Sequence, residues 1–129
     1  SPRVLSDLRA AERGCQWQGV AGQVFDAAGE PVEGLVVVVS GELEGKPVQG
    51  LGLTGLAKEY GPGGYEIEIA AQPAASSGTL SVQLFNERWE ALSPAYALET
   101  EAECDSNLIL LNFQGFGPTQ RVFLPAAQK

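Results

Sequence analysis

The chain has no histidine, no methionine and only three aspartates among its 129 residues. Without histidine, Ser/His/Asp and Cys/His nucleophilic systems are excluded. Zinc would have to draw on two cysteines plus carboxylates, a poor donor set. No Asp-x-Asp-x-Asp-Gly run occurs, so no calcium loop of the EF-hand type is present. No glycine-rich loop leads from a strand into a helix, which removes the usual phosphate cradle. No cofactor and no metal are expected. Basic residues are scarce as well: 8 Lys and Arg stand against 16 Asp and Glu, for a net charge of -8, and they form no cluster. Nucleic acid and anionic membrane surfaces both require positive charge, so neither is an expected partner. No apolar run approaches the ~18 residues of a membrane helix, and membrane insertion is not expected.

What is present points to strands. Sixteen glycines and eight prolines lie between short apolar runs, and no long stretch has a 3.6-residue period. Strands are expected at about 17–25, 35–40, 51–57, 65–70, 79–85, 95–100 and 107–113. Tyr65, Ile67 and Ile69 alternate with Glu66 and Glu68, and Leu80, Val82 and Leu84 alternate with Ser81 and Gln83, the period of a strand with one buried face. Residues 41–50 are expected as a polar loop or ragged edge. The expected fold is all-β, a seven-stranded Ig-like β-sandwich. Residues 15–114 would form the sandwich, 1–14 an N-terminal extension and 115–129 a C-terminal tail. In the extension, Ser6 is placed to cap two helical turns through Arg13, with Gly14 past their end. Two turns do not hold alone in water, so that segment must dock, extend or stay loose.

The stretch from Gly22 to Val39 reads as strand, tight turn, strand. Asp26 opens the turn through its own backbone and Gly29 closes it, since glycine takes φ > 0 without a Cβ penalty. Gly22, Val24, Asp26, Gly29, Pro31, Val32, Gly34, Val37 and Val39 fall in the register Gly-x-Val-x-Asp-x-x-Gly-x-Pro-Val-x-Gly-x-x-Val-x-Val. In this the hairpin resembles the carboxypeptidase regulatory-like and transthyretin-like (prealbumin-like) family of small β-sandwich domains. That resemblance implies a transthyretin-like sandwich without catalysis: a scaffold, an adhesin stalk or an accessory module of a secreted protein. The chain also resembles secreted β-modules of filamentous phototrophic bacteria, through Cys15-Gln16-Trp17, Tyr65-Glu66-Ile67, Val82-Gln-Leu-Phe85, Leu92-Ser93-Pro94, Cys104-Asp105, Asn107-Leu108 and Val122-Phe123-Leu124-Pro125. Both resemblances imply the outside of a cell.

Cys15 and Cys104 each precede an expected strand, one near each end of the chain. They are either a disulfide or two separate buried thiols. A disulfide would close a loop of about 90 residues, for which the chain-entropy model gives roughly 4–5 kcal/mol. The missing methionine suits a processed chain or a piece of a longer one, and a removed export signal suits a disulfide. An extracellular or cell-surface location is therefore expected.

Two runs are apolar on both faces: Leu35–Val39 and Leu108–Leu111. A sandwich strand buries one face, so something must cover the other: the N-terminal segment, the C-terminal tail, or another chain. Assembly contacts are accordingly expected at Val4, Leu5 and Leu8 of a reaching segment and at Leu35, Val37, Val39, Leu108 and Leu110 of a receiving edge. Trp89, between Arg88 and Glu90 in a turn, is the aromatic best placed for a glycan contact. Glu66 and Glu68 read as a solvated strand face. Lys58 with Asn107 or Asn112 reads as ordinary surface chemistry and not as an isopeptide pair, because that reaction needs a desolvated lysine. The expected function is a non-enzymatic structural subunit of a cell-surface filament or layer, with itself or other surface proteins as partners. The alternative is a monomeric secreted module that binds a glycan or a protein.

Overall fold

The computed structural model describes residues 3–5, 16–116 and 122–126. Among these, ten strands form two sheets that share one core: β1 (Arg3–Leu5), β2 (Gln18–Phe25), β3 (Val36–Leu43), β4 (Lys46–Leu53), β5 (Gly64–Ala70), β6 (Ser76–Phe85), β7 (Tyr96–Thr100), β8 (Leu108–Leu110), β9 (Asn112–Phe116) and β10 (Val122–Ala126). Two 3₁₀ turns, Lys58–Tyr60 and Cys104–Ser106, complete the regular structure of the described residues. The smaller sheet has four antiparallel strands in the order β4-β3-β6-β7.

The six-stranded sheet is built around β2. Strand β5 lies antiparallel along one side of it. Along the other side β8 and β9 follow each other, both parallel to β2. Strand β1 then pairs antiparallel with β8, and β10 with β9. The expected alternation places the core: Val20, Val24, Tyr65, Ile67, Ile109, Leu111 and Phe113 from this sheet meet Val37, Val39, Leu80, Val82, Leu84 and Leu98 from the other.

The break between β8 and β9 at Leu111 has three anchors. The Leu111 N–H donates to the Ala21 carbonyl at 2.8 Å. The Leu111 carbonyl turns inward and accepts from the buried Tyr65 hydroxyl. One residue on, the side-chain carbonyl of Asn112 accepts the Gln23 N–H at 2.8 Å, so a side chain satisfies a β2 donor where the ladder is interrupted. Gly22 faces this kink, and a Cβ there would lie 2.0 Å from the Leu111 oxygen. Only glycine allows that approach.

The all-β, two-sheet expectation agrees with the structure, but seven strands become ten. Residues 41–50, expected as a loop, belong to a hairpin whose Glu44 (φ 53) and Gly45 (φ 78) form a two-residue connection between β3 and β4. Both central residues take φ > 0, as a type I′ turn requires. Glutamate there in place of the usual Asn or Asp concealed it. Pro47 is tolerated because β4 is an edge strand. The run 107–113 is two strands, and 115–129 supplies β10. The expected N-terminal helix over 6–13, with Leu8, Gly14 and Cys15, lies outside the described residues.

Candidate functional site

The turns that follow β2 and β6 share one plan. After β2, the Asp26 Oδ1 accepts the N–H groups of Ala28 and Glu30, both at 2.9 Å, and the Asp26 carbonyl accepts the Gly29 N–H at 3.0 Å. After β6, the Asn86 Oδ1 accepts the N–H groups of Arg88 and Glu90 at 2.9 and 3.0 Å, and the Asn86 carbonyl accepts the Trp89 N–H at 3.0 Å. Val32 N–H returns to the Val24 carbonyl, and Leu92 N–H to the Leu84 carbonyl, both at 2.8 Å. Phe25 bridges Pro31 and Phe85 bridges Ala91 in the same way. Short Asx side chains replace backbone acceptors in both turns. The fourth position differs in one respect. Gly29 has φ 85, and the equivalent Trp89 has φ 63. A bulky residue in the left-handed region is a conformational outlier.

The two doubly apolar runs have different surroundings. In β8, Ile109 faces the main core. Leu108 joins Trp17 and Ala21 in a second buried cluster on the other face of the six-stranded sheet, with Leu110 and Tyr60 packed against it. Both faces of that run are buried or nearly so. In β3, Val37 and Val39 are fully buried in the main core, and Leu35 packs partly against it. Val36 and Val38, on the opposite face, are only half-buried. Among the described residues the outer face of the four-stranded sheet has no such second apolar layer: Leu51 is 54% exposed, Leu53 42% and Trp89 59%.

These placements correct the expected receiving edge at Leu35, Val37 and Val39. Strand β3 pairs with β4 on one side and β6 on the other, so it offers no free edge, and Val37 and Val39 are out of reach inside. The Leu108–Leu110 edge exists, and the chain's own β1 occupies it: Arg3, Val4 and Leu5 stand opposite Leu110, Ile109 and Leu108. Val4 and Leu5 are thus in a strand, while Leu8 lies outside the described residues. Cys104 opens the second 3₁₀ turn and is not a free thiol; its expected partner, Cys15, lies outside the described residues.

No chemistry converges on the polar candidates. Glu66 accepts from the Tyr60 hydroxyl at 2.8 Å. Lys58 pairs with Glu33 at 3.2 Å, with both side chains 62% exposed, a contact that water and salt weaken. Asn112 is engaged with Gln23, and Asn107 is buried. Burial pushes the Tyr65 phenol above its ordinary range and leaves it a hydrogen-bond donor. Among the described residues no group of three or more His, Cys, Asp and Glu side chains is placed to hold a metal ion, and no helix is long and apolar enough to cross a membrane. The equivalence of the Asp26 and Asn86 turns escaped sequence reasoning. Its signal is Phe-Asx-x-x-x-Glu, at Phe25–Glu30 and Phe85–Glu90, masked by the tryptophan where a glycine marks the turn.

In comparison with known proteins, the chain matches no family model, no curated protein and no solved structure.

Proposed function

We propose that this chain is a non-enzymatic structural module of the outside of a cell, a β-sandwich subunit that joins copies of itself or neighbouring surface proteins through its terminal strands. The observation that carries this reading is β1, a three-residue strand seated on β8. A strand added to an edge contributes main-chain hydrogen bonds whichever copy supplies it. So short a strand exchanges between copies at little cost, because the pairings lost within one chain are regained in the next. Residues 1–14 supply the exchanging segment and Leu108–Leu110 the acceptor edge.

The transthyretin-like, regulatory-like assignment belongs to this proposal and rests on the spacing of the Gly22–Val39 motif. The engaged state of Cys104 supports a Cys15–Cys104 disulfide and, with it, an oxidising compartment. The non-catalytic part of the reading rests on residue types, above all the missing histidine. A second reading, a monomeric secreted module that binds a glycan or a protein, has the exposed Trp89 in its favour.

Deletion of residues 1–13 tests the first reading. Light scattering and negative-stain microscopy are expected to show oligomers or filaments for the full chain and none for the truncated one. Unchanged assembly after the deletion would sink strand exchange. Intact mass without reductant is expected to be lower by two hydrogens than with it.

A further inference from the structure

The two terminal strands meet in the six-stranded sheet. Strands β8 and β9 keep one alignment along β2 across the break at Leu111: Ala21 stands beside Leu110, and Val24 beside Phe113. The strands on their far side therefore share one row. In that row β1 runs antiparallel to β8, with Leu5, Val4 and Arg3 opposite Leu108, Ile109 and Leu110. Beyond Leu111, β10 runs antiparallel to β9, with Ala126 opposite Asn112 and Val122 opposite Phe116. Both run in the same direction, so the last residue of β10 comes two positions ahead of the first of β1, roughly 7 Å along a strand. The row is one strand cut by the ends of the chain.

This row gives β1 a bounded place. A strand of three residues has few pairings to fix its register. A slip of one residue exchanges the two faces of a strand and is resisted by burial, whereas a slip of two keeps them. A slip of two toward β9 would set Arg3 opposite Asn112, where Ala126 already stands. A slip of two the other way would carry Leu5 opposite Ser106, the end of a 3₁₀ turn, and Val4 opposite Asn107, whose backbone is helical (φ -84, ψ -7). Neither offers an extended partner. Between the two strands, Leu111 has its N–H on the Ala21 carbonyl and its carbonyl on the Tyr65 hydroxyl. The row therefore needs no residue opposite it.

We propose that the exchanged N-terminal strand is received by two elements of the accepting copy, β8 along its length and β10 at its end. The incoming strand lies end to end with the acceptor's own β10, which fixes its register. This rests on the strand-exchange reading and adds its geometry. The C-terminal strand of each accepting copy adjoins the N-terminal strand of its donor. Every junction between copies then has the same polarity, in a closed pair as in an open series. The slot itself names the occupant. It takes a three-residue extended segment antiparallel to β8, and Arg3–Leu5 fills it within one chain. A second copy offers the same segment to the same main-chain groups.

Two single variants, Arg3→Cys and Ala126→Cys, test this when they are incubated together and treated with a short bis-maleimide. Their thiols come side by side in different chains only if the N-terminal strand of one copy lies against β10 of another. A two-chain product on denaturing gels is expected from the mixture. It is expected to be absent from either variant alone, from the parent, and from Arg3→Cys mixed with Glu87→Cys, whose exposed position lies on a turn of the other sheet. The double variant Arg3→Cys, Ala126→Cys, diluted to monomers, is expected to cross-link within one chain, as the shared row requires. Assembly that is lost on deletion of residues 1–13, with no cross-link between positions 3 and 126, overturns the end-to-end slot and leaves strand exchange standing. A cross-link within the double variant and none between chains in the mixture overturns both, because β1 then stays on its own copy.

Discussion

Replacing Tyr65 by Phe removes one oxygen at the point that sets both terminal strands. The Tyr65 hydroxyl donates to the Leu111 carbonyl, and both residues are buried. That carbonyl sits at the kink between β8, which holds β1, and β9, which holds β10. The variant keeps the ring and its packing, so no cavity larger than a hydroxyl opens. A neutral hydrogen bond contributes about 1 kcal/mol net, and a buried acceptor left without its partner costs about 1–3 kcal/mol. The expected loss is about 2 kcal/mol. At about 4 °C per kcal/mol for a chain of this length, the melting temperature falls by about 8 °C. The pH dependence supplies an independent check. Burial raises the Tyr65 phenol above its value in the unfolded chain, which is about 10. Below that pH both states hold the proton and the contribution is complete. Above it the unfolded chain loses the proton and the folded one keeps it, so stability falls by up to about 1.4 kcal/mol per pH unit. The phenylalanine variant lacks this slope. Urea unfolding should therefore show a gap between parent and variant that is constant up to about pH 10 and narrows above it. A variant within ~0.5 kcal/mol of the parent, or a gap indifferent to alkaline pH, refutes the role assigned to this hydroxyl.

Three further outcomes are expected. Tyr96→Phe should cost far less than Tyr65→Phe, because the Tyr96 hydroxyl makes no hydrogen bond to another protein group; thermal melts of the two variants side by side read the difference from the same chemical change. Asp26→Ala and Asn86→Ala should each cost about 1 kcal/mol, since each side chain accepts two backbone N–H groups, and the double variant should be additive because the turns share no partner; clear non-additivity in urea titrations refutes their independence. Asn112→Ala should cost about 1–2 kcal/mol by orphaning the Gln23 N–H, and should speed amide exchange at Gln23 relative to its neighbours.

Much of the fold could be read from the sequence, for identifiable reasons. Tyr65–Ile69 and Leu80–Leu84 are strands because one face of each is apolar, and burial enforces a period of two. The Asp26 turn was legible because Asp and Gly declare their backbone geometry. The β3–β4 hairpin was not. It is held by register with β3 and turned by Glu44, a residue type that does not announce φ > 0. The break at Leu111 was also hidden, because Leu108–Phe113 is continuously apolar but for Asn112. The kink comes from partners far along the chain, namely Tyr65, Gly22 and Gln23. For the candidate site, the sequence shows Leu35–Val39 apolar on both faces, but it carries no signal that β3 is paired on both sides, which leaves that strand open only through its outer face.

The two Asx turns bind these observations together. They are separated by sixty positions, from Phe25–Val32 to Phe85–Leu92, and stand at the ends of β2 and β6, each an interior strand of its sheet. The same hydrogen bonds form in both, so the backbone asks for the same conformation at Gly29 and Trp89. The sheet of the glycine turn has buried side chains on both faces, with Trp17, Ala21 and Leu108 forming its outer cluster. The sheet of the tryptophan turn has a core on one face and exposed Leu51, Leu53 and Trp89 on or beside the other. Strain and uncovered apolar surface thus fall at the same turn and on the same sheet. Within the monomer the Trp89 ring has Phe85 as its contact, with centroids 5.9 Å apart, so the strained residue and the exposed face are joined through one aromatic pair.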